Sequence, residues 1–246
     1  MVTGGTRGIG RAICRSLIAE GCHVSFCARD RREVDETVAA LSGPHARVRG
    51  SVADVTVDGD LERMIDATAA EFGEIHHVVA NVGGMIRRAA LEAAAEDWLR
   101  TFDLNVGHSI RAIRAALPHM RAREECSIVI IASVSGSKPG TYAQYGAAKA
   151  AEIFLAGSLA RELAAQRIRI NAISPGSILF PGGGWDRFSR EQGARFEAFV
   201  QREFPWQRLG TAEEVADVVA FVLSPRARWI NGTNVAVDGA QNNPSV

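Results

Sequence analysis

Tyr145 and Lys149 stand four residues apart in the run Tyr145-Gly146-Ala147-Ala148-Lys149, and the whole chain holds only two tyrosines and two lysines. In a helix-forming segment, i to i+4 spacing puts both side chains on one face. An ammonium held beside a phenol favours the phenolate, which suits the pair to proton transfer. Tyr142 cannot substitute, because Gly146 stands four residues after it. A surface pair with no role has the same spacing, so the surrounding elements must decide between the two.

Those elements alternate. Thr3-Gly4-Gly5-Thr6-Arg7-Gly8-Ile9-Gly10 runs into a helical pattern from Arg11 to Glu20, closed by Gly21, and a strand follows at His23 to Ala28. In such a unit the turn amides and the helix N-terminus cradle a pyrophosphate, and the glycines let the backbone come close. Further helices are expected at Arg31 to Leu41, Asp58 to Phe72, within Ala95 to Arg121, from Tyr145 to about Ala165, and at Ala212 to Leu223. Strands are expected at Arg47 to Gly50, His77 to Ala80, Ser127 to Ala132, Arg169 to Ser174 and Asn234 to Val237. Regular βαβ alternation implies a doubly wound parallel α/β sheet of about seven strands with helices on both faces.

One segment breaks the rhythm. Between Phe180 and Trp206 lie five of the ten phenylalanines and two of the four tryptophans, entered through Pro181-Gly182-Gly183-Gly184. It is too apolar for a surface loop and too long for a simple connection. It reads as a lid or pocket wall hinged on the glycines, or equally as an oligomer interface or a local core.

Composition narrows the class. At 246 residues, 47% hydrophobic and with formal net charge +0, the chain is of ordinary globular composition and gives no argument for nucleic acid or an anionic membrane. Cys14, Cys22, Cys27 and Cys126 show neither CxxC pairing nor metal-ligand spacing, so free thiols and no metal are expected. No apolar run approaches the roughly 20 residues of a membrane span. No charged-then-apolar leader is seen, although Met1-Val2 stands so close to the Gly-rich turn that a full first strand would need further residues before it.

From Val2 to Gly239 these motifs resemble the short-chain dehydrogenase/reductase family, in the family's own order. Thr3 to Gly10 is similar to its TGxxxGxG turn, Asp54-Val55 to its adenine-contacting pair, and Asn81-Val82-Gly83-Gly84 to its NNAG turn. Asn105, in Asp103-Leu104-Asn105-Val106, resembles the family's helix asparagine. Ser133, in Ala132-Ser133-Val134-Ser135-Gly136, resembles its active-site serine. Pro175-Gly176 matches the turn beside the nicotinamide, and Val237-Asp238-Gly239 the end of the last strand.

The resemblance implies an Asn105, Ser133, Tyr145 and Lys149 catalytic set. Tyr145 would act as general acid or base at the substrate oxygen and Ser133 would hold that oxygen. Lys149 would stabilise the phenolate and bind the nicotinamide ribose, and Asn105 would anchor a water relaying protons from Lys149. The cofactor supplies the hydride. Gly4, Thr6, Arg7, Gly8, Ile9, Gly10, Arg29, Asp54, Val55, Asn81, Gly83, Pro175, Gly176 and Ile178 would contact the cofactor, together with Tyr145 and Lys149. Two departures stand out: Ala80 replaces the first asparagine of the NNAG turn, and Phe180 replaces a threonine that contacts the carboxamide, which shifts that contact to the backbone near Ile178.

The second strand decides the cofactor. An acid at its end would accept from a ribose 2′-hydroxyl, whereas a 2′-phosphate needs a cation. Ala28 occupies the acid's place, Arg29 follows it, and Arg7 is a second cation. Asp30, the rival, fits a capping box with Glu33. NADP(H) is therefore expected.

One Rossmann-type domain is expected over residues 1–246, with a lid insertion at about 179–208. The pocket should draw on Gly84-Met85-Ile86-Arg87-Arg88, Ser135 to Tyr142 and the aromatic segment. Its apolar weight suggests a ketone or secondary alcohol with a hydrophobic body, a small-molecule substrate. Arg87 and Arg88 read either as a solvated face or as selectors of an acidic or phosphopantetheine-borne substrate. A 3-oxoacyl-carrier-protein reductase and a catalytically silent NADP-binding regulator are the alternatives. The resemblance also implies a cytoplasmic homotetramer, or a homodimer, paired through the helices of Asn105 and Tyr145. Ala147, Ala150, Ala151, Phe154, Leu155 and Leu159 would supply the surface on the Tyr145 helix.

Overall fold

The computed structural model describes residues 1–44, 46–86, 88–120, 125–140 and 142–242. Apolar runs such as Cys126-Ser127-Ile128-Val129-Ile130-Ile131 are buried along their whole length, as expected of strands covered on both faces. In chain order the elements are β1 (Val2–Thr3), α1 (Gly8–Ala19), β2 (Val24–Ala28), α2 (Arg31–Leu41), β3 (Val48–Val52), α3 (Asp60–Phe72) and β4 (His77–Ala80). There follow α4 (Ala95–Phe102), α5 (His108–Met120), β5 (Cys126–Ile131), α6 (Ala143–Leu163) and β6 (Ile168–Pro175). The chain continues with β7 (Ile178–Leu179), α7 (Gly184–Glu191), α8 (Gly193–Glu203), β8 (Gly210–Thr211), α9 (Ala212–Leu223) and β9 (Asn234–Val237).

Seven strands form one parallel sheet in the order β3-β2-β1-β4-β5-β6-β9. Leu61 and Ile65 of α3, Ile113 and Met120 of α5, and Ala156 and Leu163 of α6 build the core on one face. Ile13 and Leu17 of α1, Val34 of α2, and Val215 and Val219 of α9 build it on the other. The strand order reverses between β1 and β4, which opens a crevice at the carboxyl ends of those strands, where such sheets bind ligands.

Two caps fix helix starts. Thr211 accepts from Glu214 N at 3.2 Å, and the Glu214 carboxylate accepts in return from Thr211 N at 2.9 Å, a reciprocal capping box at α9. Asp30 likewise accepts from Glu33 N at 3.0 Å. The expected return half is absent: the Glu33 carboxylate accepts instead from Thr6 Oγ1 at 2.8 Å. Its reach to the first turn ties α2 to the glycine loop.

The helix expected within Ala95 to Arg121 forms, with an irregularity inside it. A π-turn at Asp103–Gly107 separates α4 from α5, and His108 N bonds back to Asp103 O. Such turns insert one residue and often mark functional sites. The aromatic segment also differs from a plain loop: it folds into α7 and α8 around Val200, Phe204 and Leu209, with Trp185, Phe196 and Phe199 packed on them. Trp185 stacks on Phe199 with ring centroids 4.7 Å apart. Among the described residues no helix is long and apolar enough to cross a membrane.

Candidate active site

The carboxyl ends of the strands deliver the expected residues to one edge of the sheet. β1 ends in the glycine turn. There Gly4 and Gly8 have φ of +70° and +53°, conformations that favour glycine. A Cβ on Gly10 would lie 2.0 Å from Gly4 O, so the turn closes only on a glycine. The side chain of Arg7, at the N-cap of α1, forms no capping bond, leaving the first amides of that helix free for an anion. The ring of Phe180 lies over Gly8, where a Cβ would meet its Cζ at 2.8 Å.

Arg29 follows β2, and both Arg7 and Arg29 are exposed. Asp54 follows β3, and its carboxylate accepts from Thr56 N and Oγ1, which lowers its pKa. Val55 is buried, and its carbonyl accepts from Arg111 Nε at 3.0 Å. Asn81 follows β4 and donates from Nδ2 to Thr3 O at 2.9 Å and Gly4 O at 3.2 Å. Thr3 Oγ1 completes the junction by accepting from Asn81 N and Val82 N.

Asn105, fully buried in the π-turn, donates to Gly84 O at 2.8 Å and Thr101 O at 2.7 Å. Its Oδ1 accepts from Gly84 N at 3.3 Å. Lys149 Nζ donates to Ile131 O at 2.9 Å and lies 5.7 Å from the Tyr145 ring centroid. Gly83 joins the two groups: a Cβ there would lie 2.7 Å from Asn105 Oδ1 and 2.9 Å from Lys149 Nζ.

Ser133 ends the stretch after β5, its Oγ accepting from Ser135 N at 3.1 Å. Two glycines let its turn approach α6: a Cβ on Gly136 would meet Ala150 N at 2.8 Å, and one on Gly146 would meet Ser135 O at 2.9 Å. Ser137, by contrast, accepts from Asn242 Nδ2 and points towards the end of the chain. After β6, the Pro175-Gly176 turn is held by Gln241. Its Oε1 accepts from Ser177 N at 2.8 Å and its Nε2 donates to Ser177 Oγ at 2.9 Å. Ile178 is buried on β7, paired with Gly210. Arg88 contacts Asp97 at 3.4 Å, while Arg87 lies outside the described residues.

Known proteins match this arrangement along nearly its whole length. A family model described as enoyl-(acyl carrier protein) reductase matches residues 4–241. Isoepoxydon dehydrogenase patN of Penicillium expansum is 34% identical over 244 residues, spanning 97% of this chain and 92% of the relative. Dehydrogenase/reductase SDR family member 4 of Oryctolagus cuniculus is 33% identical over 243 residues, spanning 97% and 91%. The chain belongs to the short-chain dehydrogenase/reductase family. Among solved structures, L-sorbose reductase from Gluconobacter frateurii, complexed with NADPH and L-sorbose, superposes with a TM-score of 0.90 at 30% identity, covering 97% of this chain and 94% of that one.

Beyond the motif residues, this family member places polar groups that motif reading passed over, Gln144 and Glu152 buried and Lys138 half-buried. Gln144 Nε2 donates to Ile86 O at 2.9 Å and Arg88 O at 3.0 Å, fastening the loop after β4 to α6. Lys138 donates to Gln241 O at 3.1 Å and pairs with Glu203 at 3.0 Å, joining the serine turn to α8. Glu152 lies against Lys149, with Oε2 2.8 Å from Nζ. Its i+3 spacing from the lysine is a sequence signal that went unused.

His108 is buried as well. Its Nδ1 is 2.8 Å from Leu104 O and its Nε2 3.4 Å from Thr3 Oγ1, which fits a neutral ring donating from Nδ1 and accepting at Nε2. Burial, and then the charge of Lys149, push its pKa down to about 3. An unfolded histidine titrates near 6.5. The stabilisation is therefore complete above about pH 6.5 and lost as pH falls towards the folded value, by on the order of 4 kcal/mol. Guanidinium unfolding midpoints should drop steeply between neutral pH and pH 4, and the drop should be shallower in His108→Gln. Equal slopes in the two proteins would contradict this assignment.

Proposed function

We propose that the protein is an NADP(H)-dependent oxidoreductase that moves a hydride between nicotinamide and a ketone or secondary alcohol, with Tyr145 as the general acid or base. The observation that carries this reading is the convergence of Asn105 and Lys149 on Gly83, with Lys149 beside the ring of Tyr145. The glycine turn, the uncapped start of α1 and the side-chain-free surface at Gly83 fit a dinucleotide lying across the crevice between β1 and β4. Bound there, the nicotinamide supplies the hydride.

The chain's own residues then do the rest. Ser133 and Tyr145 hold the substrate oxygen, and Tyr145 gives it a proton during reduction or removes one during oxidation. Lys149, whose Nζ reaches Ile131 O with one hydrogen, keeps others for a ribose hydroxyl and for stabilising the phenolate. Asn105 holds the turn at Gly84 and anchors the relay of protons away from Lys149. The segment at about 179–208 forms the lid of one domain, with α7 and α8 as its body. Its aromatic residues, Trp185, Phe196 and Phe199 among them, suit a substrate with a hydrophobic body.

Arg7 and Arg29 support NADP(H) over NAD(H). Among the described residues neither forms a salt bridge, and the Glu33 carboxylate, which could serve a ribose hydroxyl, is already engaged by Thr6. Fluorescence titration with both nucleotides should show tighter binding of NADPH, and an NADPH-oxidation screen over small ketones should show turnover. In Arg29→Glu the ratio of NADPH to NADH efficiency should fall at least about tenfold, the loss of one charge-assisted hydrogen bond. An unchanged ratio would refute the assignment. Phe154 of α6 is 78% exposed and Leu99 of α4 70%, which favours pairing of these helices between copies of the chain, in a homotetramer or a homodimer.

A further inference from the structure

We propose that Glu152 is the counter-ion that keeps Lys149 charged inside the protein, and through Lys149 a positioning residue for proton transfer at Tyr145; the catalytic half of this rests on the function proposed above. Lys149 is 2% exposed and Glu152 0%. An ammonium buried so deeply loses its proton unless a negative charge or several acceptors hold it. Nζ makes a hydrogen bond to the neutral carbonyl of Ile131 at 2.9 Å. Glu152 Oε2 stands 2.8 Å away, in contact by charge and not along a hydrogen-bond axis.

The other groups facing the pair do not replace the carboxylate. Tyr145 comes from the same helix and adds to the hold on the ammonium only as its phenolate. Asn105 of the π-turn and Ser109 of α5 are neutral dipoles. His108 of α5 is held neutral, and Arg111 pairs with Asp103 at 2.7 Å. Burial works most strongly against the Lys149 ammonium, but the Glu152 carboxylate, with Tyr145 adding to it, leaves the lysine above its ordinary pKa.

Glu152 depends on Lys149 in turn. Burial lifts its carboxyl above the ordinary range despite the neighbouring ammonium. Its second oxygen lies 3.4 Å from Ser109 Oγ, but that hydroxyl is also 2.9 Å from Asn105 O. One hydroxyl hydrogen cannot serve both acceptors fully, and the shorter contact has the better claim. The carboxylate is therefore held chiefly by the ammonium. Removing either member strands the other in a low-dielectric site. The positive charge that favours the Tyr145 phenolate is thus maintained by a residue that touches neither substrate nor cofactor.

Only Lys138 and Lys149 are lysines, so lysine labelled with 15N at Nζ gives two side-chain signals, which Lys138→Arg assigns. In the unmodified protein Lys149 should stay protonated past the ordinary value of about 10.4. In Glu152→Gln it should titrate at least about one pH unit lower, and the alkaline limb of the carbonyl-reduction profile should move down by a similar amount. Glu152→Asp should recover part of both shifts. A Lys149 titration identical in the two proteins would overturn the proposal. So would a lysine that already titrates below the ordinary value in the unmodified protein, a result that decides the matter even if Glu152→Gln does not fold. A lysine that shifts while the alkaline limb stays fixed would refute the positioning role. If the lysine shifts but the unmodified protein reduces no carbonyl, the ion pair stands and the proposed function fails.

Discussion

Replacing Tyr145 with phenylalanine is expected to lower kcat for carbonyl reduction by about a thousandfold, within the usual contribution of a positioned acid or base, while NADPH binding changes by no more than a few-fold. The asymmetry follows from the placement. The Tyr145 ring stands on α6 beside Lys149, 5.7 Å from Nζ to its centroid, so phenylalanine keeps the aromatic body that packs there and removes only the hydroxyl. The ammonium remains tied to Ile131 O and Glu152, and the glycine turn that would bind the pyrophosphate is untouched. A kcat that falls with little change in KM would mark an interaction made in the transition state alone. Less than a tenfold loss would mean that another group, Ser133 or a water, delivers the proton.

The second large effect is expected at a residue with no side chain. Gly83→Ala should cost about 2 kcal/mol of stability and about a hundredfold in kcat/KM, the penalty of displacing groups that must be held in register. The new methyl would sit 2.7 Å from Asn105 Oδ1 and 2.9 Å from Lys149 Nζ. Neither neighbour can retreat. Asn105 is fixed by its bonds with Gly84 and Thr101, and Lys149 by Ile131 O and Glu152. Gly84→Ala is the control, because its Cβ would meet only Leu104 Cδ2, at 2.9 Å, the end of a side chain that can rotate. Denaturant midpoints and kcat/KM for both variants check the contrast, and equal behaviour of the two would contradict the geometry at Gly83.

Much of this scaffold was legible in the residues themselves. Helices α2 and α9 and strands β4 and β9 occupy the expected spans, because each is bounded by a local signal: Asp30 and Thr211 as caps, Gly and Asn at the strand flanks. The order of the motifs follows from the sheet, since every strand ends at the same edge. The π-turn at Asp103–Gly107 was not legible. A single inserted residue leaves the helical periodicity of a long apolar pattern almost unchanged, and only backbone hydrogen bonding reveals it. Glu33 was misjudged for a related reason. Its spacing from Asp30 fits a reciprocal cap, but the first loop offers Thr6 as a partner from 27 positions away. Long-range competition of this kind cannot be read from neighbours in the chain. Glu152 had a visible spacing from Lys149, yet nothing local indicated that both would be excluded from water.

The aromatic cluster between α7 and α8 bears on how such a protein changes over time. Val200, Phe204 and Leu209 make a core separate from the two that flank the sheet, and substitutions far apart with no shared partners act nearly additively. If that cluster is the lid proposed above, variation inside it can reshape what the cleft admits while the stability of the sheet, and the residues proposed to move the proton, stay out of selection's way. On the function proposed above, the part that performs the chemistry and the part that chooses the molecule are separate, and each can drift on its own.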